Sequence, residues 1–308
     1  MDTFSKTKSR CNIIRAKVEA GSFRVALEIM SKMGHNAFIR FKPEGFNIAV
    51  FPSVVVAKKS KPEATAQQQQ SLAEYTFKGE LLCRYSYRVS SGGLALPKYE
   101  TMVSLQAFLS RISDAKKDNA GFGFKLRISD DGTTDSGIEI NSQGSAGNKY
   151  VPTTPVSEGS QYPAVDKFSK WHVGKNPKSK IPPRVMQAVL ANAKKSDSNK
   201  VEFRLYATTG NAYFSCWAPG TDKAVHTEPL DADASNSEYE DDDTATGKGY
   251  TKREIILKQS NWIHKVPRLS NSVIQVHLDA NDVECPLIFS TLIGSQGTAR
   301  YYMPNVGN

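Results

Sequence analysis

Four segments with the pattern of amphipathic helices recur along this chain at nearly constant intervals. They begin at Ser22, Ser104, Pro182 and Ser260, so successive starts lie 82, 78 and 78 residues apart. Apolar residues in the first three recur three and four positions apart, which is the period of a helix that buries one face. A supersecondary unit repeated at a fixed long interval predicts an array of similar units with neighbouring cores.

Local signals place the ends of these helices. Ser22 is the expected N-cap of the first helix, because its side-chain oxygen can accept a hydrogen bond from the first turn. The third helix opens on Pro182 and Pro183, where a missing N–H leaves no helical hydrogen bond unmade. The fourth helix is short, and Pro267 is expected to break or kink it.

Strand-like runs surround each helix in the same order. An extended stretch precedes the helix, and two strands separated by a turn follow it. The strand pairs that follow are 37–41 with 46–51, 121–128 with 137–140, 200–207 with 212–218, and 272–278 with 286–293. Extended stretches at 11–18, 168–174 and 252–258 precede the first, third and fourth helices. Runs of strands with one helix per unit predict antiparallel sheets with helices on one face, an α+β fold.

The last twenty residues predict a β-hairpin that ends in a tyrosine pair and a proline. Residues 287–293 form the first strand, and Gly294 and Gly297 suit the turn because glycine adopts positive φ without a steric clash. Residues 298–303 return as the second strand. Pro304 then ends it, because proline has no N–H to donate to the ladder.

The charge of the chain is positive and unevenly placed. The net charge is +9, yet eight of the 31 acidic residues lie in the segment 228–243, which has no lysine or arginine. The rest of the chain therefore holds 23 acidic residues against all 40 basic ones. A body this basic predicts a polyanionic partner such as nucleic acid. The acidic segment has the composition of a solvated loop.

Basic residues cluster on the faces of the helices that the apolar stripes leave exposed, and acidic residues are sparse there. The set is Arg24, Lys32, Arg111, Lys116, Lys117, Arg184, Lys194, Lys195, Lys265 and Arg268. Basic residues on any one helix are typical of an ordinary solvated face, but basic faces on four helices of one array favour a shared function. Lysine and arginine on helices contact phosphates rather than base edges, which predicts salt-sensitive, sequence-independent binding.

Motifs for catalysis are weak. The segment 244–251 lacks the spacing of a phosphate-binding loop, and the five histidines have no metal-ligand spacing. The four cysteines contain no CxxC pair. We therefore expect no cofactor, no metal and no enzymatic activity. A hydrolase or nuclease built from carboxylates distant in sequence stays open as an alternative.

Targeting signals are also weak. No apolar stretch has the length of a membrane span, and the first ten residues lack the apolar core of a signal peptide. These features predict an intracellular protein with no membrane partner.

The chain resembles the DNA sliding clamp family, in particular proliferating cell nuclear antigen and its viral and checkpoint relatives. The resemblance covers nearly the whole chain. It rests on the segments 16–33, 45–51, 103–112, 286–289 and 301–304. The last segment is the most specific, because clamps of this family typically end in an apolar strand, a glycine turn and a Tyr-Tyr or Tyr-Phe pair before proline.

This resemblance implies two domains of one topology, 1–155 and 168–308, joined by an interdomain connector at 156–167. It implies a closed trimer whose helices line a channel for duplex DNA and whose sheets form the outer surface. The ten basic residues would then hold DNA loosely, so that a tethered DNA polymerase slides along it.

The resemblance also implies a docking pocket for polymerase and other replication proteins under the connector. Residues that would line it are Val54, Val55, Val56, Gln161, Tyr162, Pro163, Pro304, Asn305 and Val306. Cellular replication clamps are acidic overall, whereas this chain is basic, which is expected of a viral processivity factor. The nucleus, or the site of viral DNA replication, is the expected location. A subunit of the heterotrimeric checkpoint clamp is the nearest alternative.

Overall fold

A computed structural model of the chain describes most of the predicted repeat. It describes residues 12–50, 71–91, 94–112, 122–128, 134–142, 149–156, 179–198, 200–206, 212–217, 224–229, 250–257, 260–269, 272–278 and 286–303. Besides a three-residue 3₁₀ turn (Gly79–Leu81), the helices are α1 (Ala20–Met33), α2 (Leu105–Ile112), α3 (Pro183–Lys195) and a 3₁₀ helix (Asn261–Arg268). Their starts keep the predicted spacing to within a few residues. None of these helices is long and apolar enough to cross a membrane.

Strands make up most of the rest of the described chain. In the first half they are β1 (Asn12–Val18), β2 (Asn36–Lys42), β3 (Gly45–Val50), β4 (Leu72–Lys78), β5 (Arg84–Arg88), β6 (Ser90–Ser91), β7 (Leu94–Ala95), β8 (Tyr99–Ser104), β9 (Phe122–Ile128), β10 (Thr134–Ser142), β11 (Lys149–Val151) and β12 (Thr153–Pro155). In the second half they are β13 (Ser179–Ile181), β14 (Lys200–Tyr206), β15 (Ala212–Trp217), β16 (Ala224–Pro229), β17 (Tyr250–Ile256), β18 (Ile274–His277), β19 (Leu287–Ile293) and β20 (Gly297–Met303).

The two halves repeat one pattern of strand pairing. The order β8-β2-β3-β4 in the first half recurs as β17-β14-β15-β16 in the second. The order β11-β10-β9-β1 likewise recurs as β20-β19-β18-β13. The pairs between these strands are antiparallel, and each helix occupies the same place in its half. The predicted α+β fold with two similar topologies is confirmed, and the domain boundaries at 155 and 168 stay a prediction.

The C-terminal hairpin joins the two halves. β20 pairs with β19 on one side and with β4 of the first half on the other. This pairing produces a nine-stranded sheet in the order β12-β8-β2-β3-β4-β20-β19-β18-β13. The hairpin therefore does more than complete the sheet of the second half, because its last strand is the seam between the halves.

The turn of this hairpin needs both of its glycines. Gly294 has a φ of +54°, in the left-handed region that favours glycine. At Gly297, a side-chain Cβ would lie 2.4 Å from the carbonyl oxygen of Thr76 on β4, which is too close for any side chain. The second glycine therefore permits the close approach of β20 to β4.

The four helices form a continuous layer. α1 packs against α2 on one side and against the 3₁₀ helix on the other, and the 3₁₀ helix packs against α3. Phe23 anchors α1 to its surroundings: its ring centroid lies 5.3 Å from Phe77 on β4, 6.0 Å from Phe108 on α2 and 6.4 Å from Phe124 on β9. Phe23, Ala26, Leu27 and Met30, the apolar residues of α1 that recur three and four positions apart, are buried, as that period predicts. Burying each such side chain contributes on the order of 2 kcal/mol.

Two predictions about the helix ends were wrong. Ser22 is not the N-cap: α1 begins at Ala20, and Glu19 is the N-cap residue, whose backbone N–H donates to the side-chain oxygen of Gln296 in the hairpin turn at 2.9 Å. The fourth segment is a 3₁₀ helix that continues through Pro267 to Arg268 rather than an α-helix broken there. The extended stretch predicted at 168–174 lies outside the described residues, and β13 is the strand that precedes α3.

A buried hydrogen bond crosses the seam between the halves. The hydroxyls of Tyr75 on β4 and Tyr301 on β20 are 2.6 Å apart, and both residues are fully buried. Burial raises the pKa of both phenols above their usual value, so both stay protonated. The Tyr301 ring also stacks on Trp262 of the 3₁₀ helix, with centroids 4.9 Å apart. The first member of the predicted tyrosine pair is therefore a core residue.

Replacing Tyr301 with phenylalanine should destabilise the protein by about 1–3 kcal/mol, because it leaves the Tyr75 hydroxyl buried without its partner. The double variant Tyr75→Phe/Tyr301→Phe should cost less than the sum of the two single variants. Urea unfolding monitored by tryptophan fluorescence measures these differences. Tyr150→Phe is the control, because Tyr150 is 44% exposed and its hydroxyl should contribute little. Additive costs for the single variants would contradict the shared hydrogen bond.

Candidate nucleic-acid interface

The helical layer concentrates positive charge. Within the four helices as the structure bounds them, eight residues are lysine or arginine and one, Glu28, is acidic. These eight are the predicted DNA-binding residues Arg24, Lys32, Arg111, Arg184, Lys194, Lys195, Lys265 and Arg268. The other two predicted residues, Lys116 and Lys117, lie outside the described part of the chain.

Most of these cations face solvent, as predicted. Six are exposed, namely Lys32, Arg111, Arg184, Lys194, Lys195 and Arg268, whereas Arg24 and Lys265 are partly buried. Most also lie in the last turn of their helix, where the helix dipole stabilises positive charge. Favourable placement at the helix ends lets the fold tolerate this concentration of like charge.

Glu28 brings α1 and the 3₁₀ helix together. Its carboxylate accepts a hydrogen bond from Lys265 Nζ at 2.7 Å and another from Arg24 Nε at 3.0 Å. Partial burial raises the pKa of Glu28, but the two cations outweigh that effect and hold it below its usual value. The carboxylate is therefore ionised at neutral pH, and it neutralises part of the charge that Arg24 and Lys265 add to the layer.

His264 marks a second meeting point, where three helices converge. It lies on the 3₁₀ helix, and its pKa is lowered by partial desolvation and then by the positive charges of Lys194 on α3 and Lys32 on α1. These effects favour neutral imidazole near neutral pH. We call Lys32, Lys194 and His264 the central basic cluster. Charges from α1 in the first half and from α3 in the second therefore both act on this histidine.

The sequence alone revealed part of this arrangement. Arg24 and Glu28 are four residues apart on one helix, which is the spacing of an intrahelical ion pair, so their contact was open to prediction. The contact between Glu28 and Lys265 joins residues 237 positions apart, and no local pattern signals it. The sequence analysis did not single out His264 for the same reason, because the lysines that lower its pKa, Lys32 and Lys194, are distant in sequence.

Several lysine and arginine side chains on the sheets lie beside glutamates. Glu100 contacts both Arg40 and Lys98, and Glu254 contacts both Lys200 and Lys252. Such pairing offsets the positive charge locally. The ratio of basic to acidic residues is higher in the four helices, at eight to one, than in the described strands, at sixteen to seven.

The predicted docking pocket cannot be placed in the same way. All nine predicted partner-binding residues, from Val54 to Val56, from Gln161 to Pro163 and from Pro304 to Val306, lie outside the described residues. Within the described ranges no group of three or more histidine, cysteine, aspartate or glutamate residues could hold a metal ion.

Comparisons with known proteins identify the fold. No protein-family model matches the chain, and no curated protein sequence does so either. Solved structures do match. A chain of the PCNA2–PCNA3 complex from Sulfolobus tokodaii matches with a TM-score of 0.59 at 12% identity, covering 95% of this chain and 99% of that one. Proliferating Cellular Nuclear Antigen from Entamoeba histolytica matches with a TM-score of 0.61 at 10% identity, covering 96% and 100%.

The chain has the sliding clamp fold. The resemblance that the sequence motifs indicated is confirmed at the level of fold, although identity with both structures is low. The match spans nearly all of both chains, so it includes the repeated strand order and the helical layer rather than one shared motif.

Replacing Lys194 with glutamine should raise the pKa of His264, because removing a nearby positive charge favours the protonated imidazole. The histidine chemical shifts of the folded protein, followed by NMR as a function of pH, measure this change. Arg184→Gln is the matched control: it removes a cation from the opposite end of the same helix and should leave the His264 pKa nearly unchanged. An unaltered pKa in the Lys194 variant would mean that α3 does not approach the 3₁₀ helix at this point.

Proposed function

We propose that this protein is a sliding clamp that holds duplex DNA against its helical layer and tethers a DNA polymerase to it. The observation that carries the proposal is the charge of that layer, eight cations and one carboxylate within the four helices of a clamp fold. Cations on helix faces contact phosphates without reading bases. Contacts of this kind tolerate movement along the duplex, which is what processive synthesis requires. The proposed role is non-enzymatic.

The internal repeat supports assembly into a ring. β4 and β16 hold equivalent positions in the two halves, and so do β20 and β11. Within the chain, β4 pairs with β20. Among the described residues β16 and β11 each end a sheet, so each has one edge without a partner strand. The same pairing between β11 of one chain and β16 of the next would continue the sheet from subunit to subunit.

A side chain on β11 fits this interface. Tyr150 is 44% exposed although it is a large aromatic residue on a strand at the edge of a sheet. Pairing with a neighbouring strand would bury part of that ring and satisfy the backbone groups of the edge. Head-to-tail pairing of identical chains closes a ring if the rotation between subunits permits it. We propose a closed trimer, in the nucleus or at a site of viral DNA replication.

The proposal includes a docking site for a DNA polymerase. A pocket lined by residues 54–56, 161–163 and 304–306 would bind a polymerase peptide with an apolar anchor, because the resemblance to sliding clamps implies that partner peptides dock under the connector. Burying one such anchor contributes on the order of 2 kcal/mol.

Replacing Lys194 and Lys195 with glutamate should weaken binding equally to unrelated DNA duplexes. It should also reduce the salt dependence of the binding constant by roughly two phosphate contacts, since each lysine neutralises about one phosphate. Fluorescence anisotropy at several salt concentrations measures both quantities. The double variant Lys17→Glu/Arg127→Glu is the control, because it changes the net charge equally at exposed positions on strands β1 and β9. Equal losses in both variants would show that total charge, and not the helical layer, binds DNA.

Replacing Glu28 with glutamine should tighten DNA binding severalfold. It removes the single carboxylate of the four helices and releases Arg24 and Lys265 to contact phosphates. The variant should lose about 0.5–1 kcal/mol of folding stability with the two ion pairs. Glu100→Gln is the control, because Glu100 holds Arg40 and Lys98 on the sheet in the same way. Unchanged or weaker DNA binding by the Glu28 variant would contradict a phosphate-binding role for these two cations.

Replacing Tyr150 with glutamate should lower the mass of the assembly in solution, because it adds charge to the proposed β11 interface. Analytical ultracentrifugation of the purified protein, with and without DNA, measures the mass. Leu292→Glu is the control, since Leu292 is similarly exposed but lies on an interior strand of its sheet. A wild-type monomer that assembles only with different partner chains would instead favour a heterotrimeric clamp.

A further inference from the structure

The five-stranded sheet of the first half has one face in the core and one face towards solvent. Its strand order is β11-β10-β9-β1-β5. Ile14 on β1 and Leu126 on β9 are fully buried, and they alternate with more exposed residues along the same strands. Phe124 on β9 lies on the buried face, where its ring centroid is 6.4 Å from that of Phe23 on α1. The solvent face of this sheet therefore points away from the helical layer.

Basic residues occupy most of the solvent face of three adjacent strands. On β5, β1 and β9, three alternate positions per strand form a grid of nine, because directly paired residues lie on the same face. Six of the nine are basic, namely Arg15, Lys17, Arg84, Arg88, Lys125 and Arg127. Neighbouring strands lie about 4.8 Å apart and alternate residues about 6.7 Å apart, so the six Cα atoms fit within roughly 10 by 13 Å. We call these six residues the outer basic face.

Little of this positive charge is neutralised. Five of the six cations are exposed, and Lys125 is partly buried. The Nζ atom of Lys125 lies 3.4 Å from Oε2 of Glu139 on β10. Among the residues of the five strands whose side chains the structure describes, Glu139 is the only carboxylate. Like charges at this density repel one another, and an anionic partner would relieve the repulsion.

We propose that the outer basic face binds an extended acidic segment of a partner protein. Side chains on one side of an extended peptide recur at every second residue, about 6.7 Å apart, which is also the spacing of Arg15 and Lys17 along β1. Four of the six cations are arginine, which can donate two parallel hydrogen bonds to one carboxylate. A segment with an acidic residue at every second position therefore matches this face in both charge and spacing.

An acidic peptide fits the outer basic face better than single-stranded nucleic acid does. Proteins that bind single strands place aromatic side chains among their cations, so that the bases stack on them. The other three positions of the grid are Ile13, Ser86 and Gly123, and none of them has an aromatic ring. Tyr150 lies on the same side of the sheet but on β11, two strands beyond β9. The grid therefore offers carboxylate partners without a surface for stacking bases.

The outer basic face and the proposed DNA interface are separate surfaces. Because the outer basic face points away from the helices, an acidic partner could bind there while DNA occupies the helical layer. The proposal rests on the strand register and the charge of this sheet, and it does not depend on DNA binding or on ring formation.

Fluorescence anisotropy of a labelled peptide in which glutamate alternates with serine, measured with the full chain, tests the proposal. The variant Lys17→Glu/Arg127→Glu should weaken peptide binding on the order of tenfold, because two attractions become repulsions. Lys194→Glu/Lys195→Glu is the matched control: it changes the net charge equally on the helical layer and should leave peptide binding nearly unchanged. An unaltered urea midpoint shows that each variant is folded. Equal losses in the two variants, or no loss in the first, would overturn the proposal.

A second variant raises affinity instead of lowering it. Glu139→Gln should tighten peptide binding severalfold, because it removes a carboxylate from the same side of the sheet and releases Lys125. Glu254→Gln, on a sheet of the second half, is the control and should change peptide binding little. Unchanged or weaker binding by the Glu139 variant would contradict the proposal. Tighter binding of an oligothymidylate than of the peptide, lost in Lys17→Glu/Arg127→Glu, would assign the face to single-stranded nucleic acid and overturn it.

Discussion

The pairing of β4 with β20 is the contact on which the rest of this structure depends. It joins two halves that otherwise have separate strand ladders, and it turns them into one nine-stranded sheet. The glycine at position 297 allows the two strands to approach, and the hydrogen bond between Tyr75 and Tyr301 crosses the seam inside the core. A one-residue slip in this pairing would turn the buried side chains of β20 towards the other face.

The helical layer follows from that seam. Once β20 lies beside β4, its hairpin turn meets the start of α1, and Tyr301 stacks on Trp262 of the 3₁₀ helix. The 3₁₀ helix then lies against α1, so cations from the two halves come together around Glu28 and His264. The lysine and arginine side chains of this layer repel one another, because only one carboxylate lies among them in the four helices. The free energy of the buried core holds the layer together, and a polyanion such as DNA would relieve the repulsion.

The repeat also explains how one chain can have both satisfied and uncovered edges. Within the chain, β4 of the first half pairs with β20 of the second half. Their counterparts in the opposite halves, β16 and β11, each end a sheet in the described structure. Edges of this kind suit pairing between subunits. One repeated topology therefore accounts for both the pairing within the chain and the proposed pairing between chains.

Local patterns in the sequence determined the helices, most of the strands, the hairpin and the excess of positive charge, because periodicity, turn residues and composition act over a few neighbouring residues. They did not determine the start of α1, where Glu19 rather than Ser22 is the N-cap, or the 3₁₀ form of the fourth helix. Nor could they show that Lys265 shares Glu28 with Arg24, or that Lys32 and Lys194 both lower the pKa of His264. Tertiary structure decided these contacts, because the pairing of β4 with β20 brings together residues more than two hundred positions apart, and no local pattern encodes that approach.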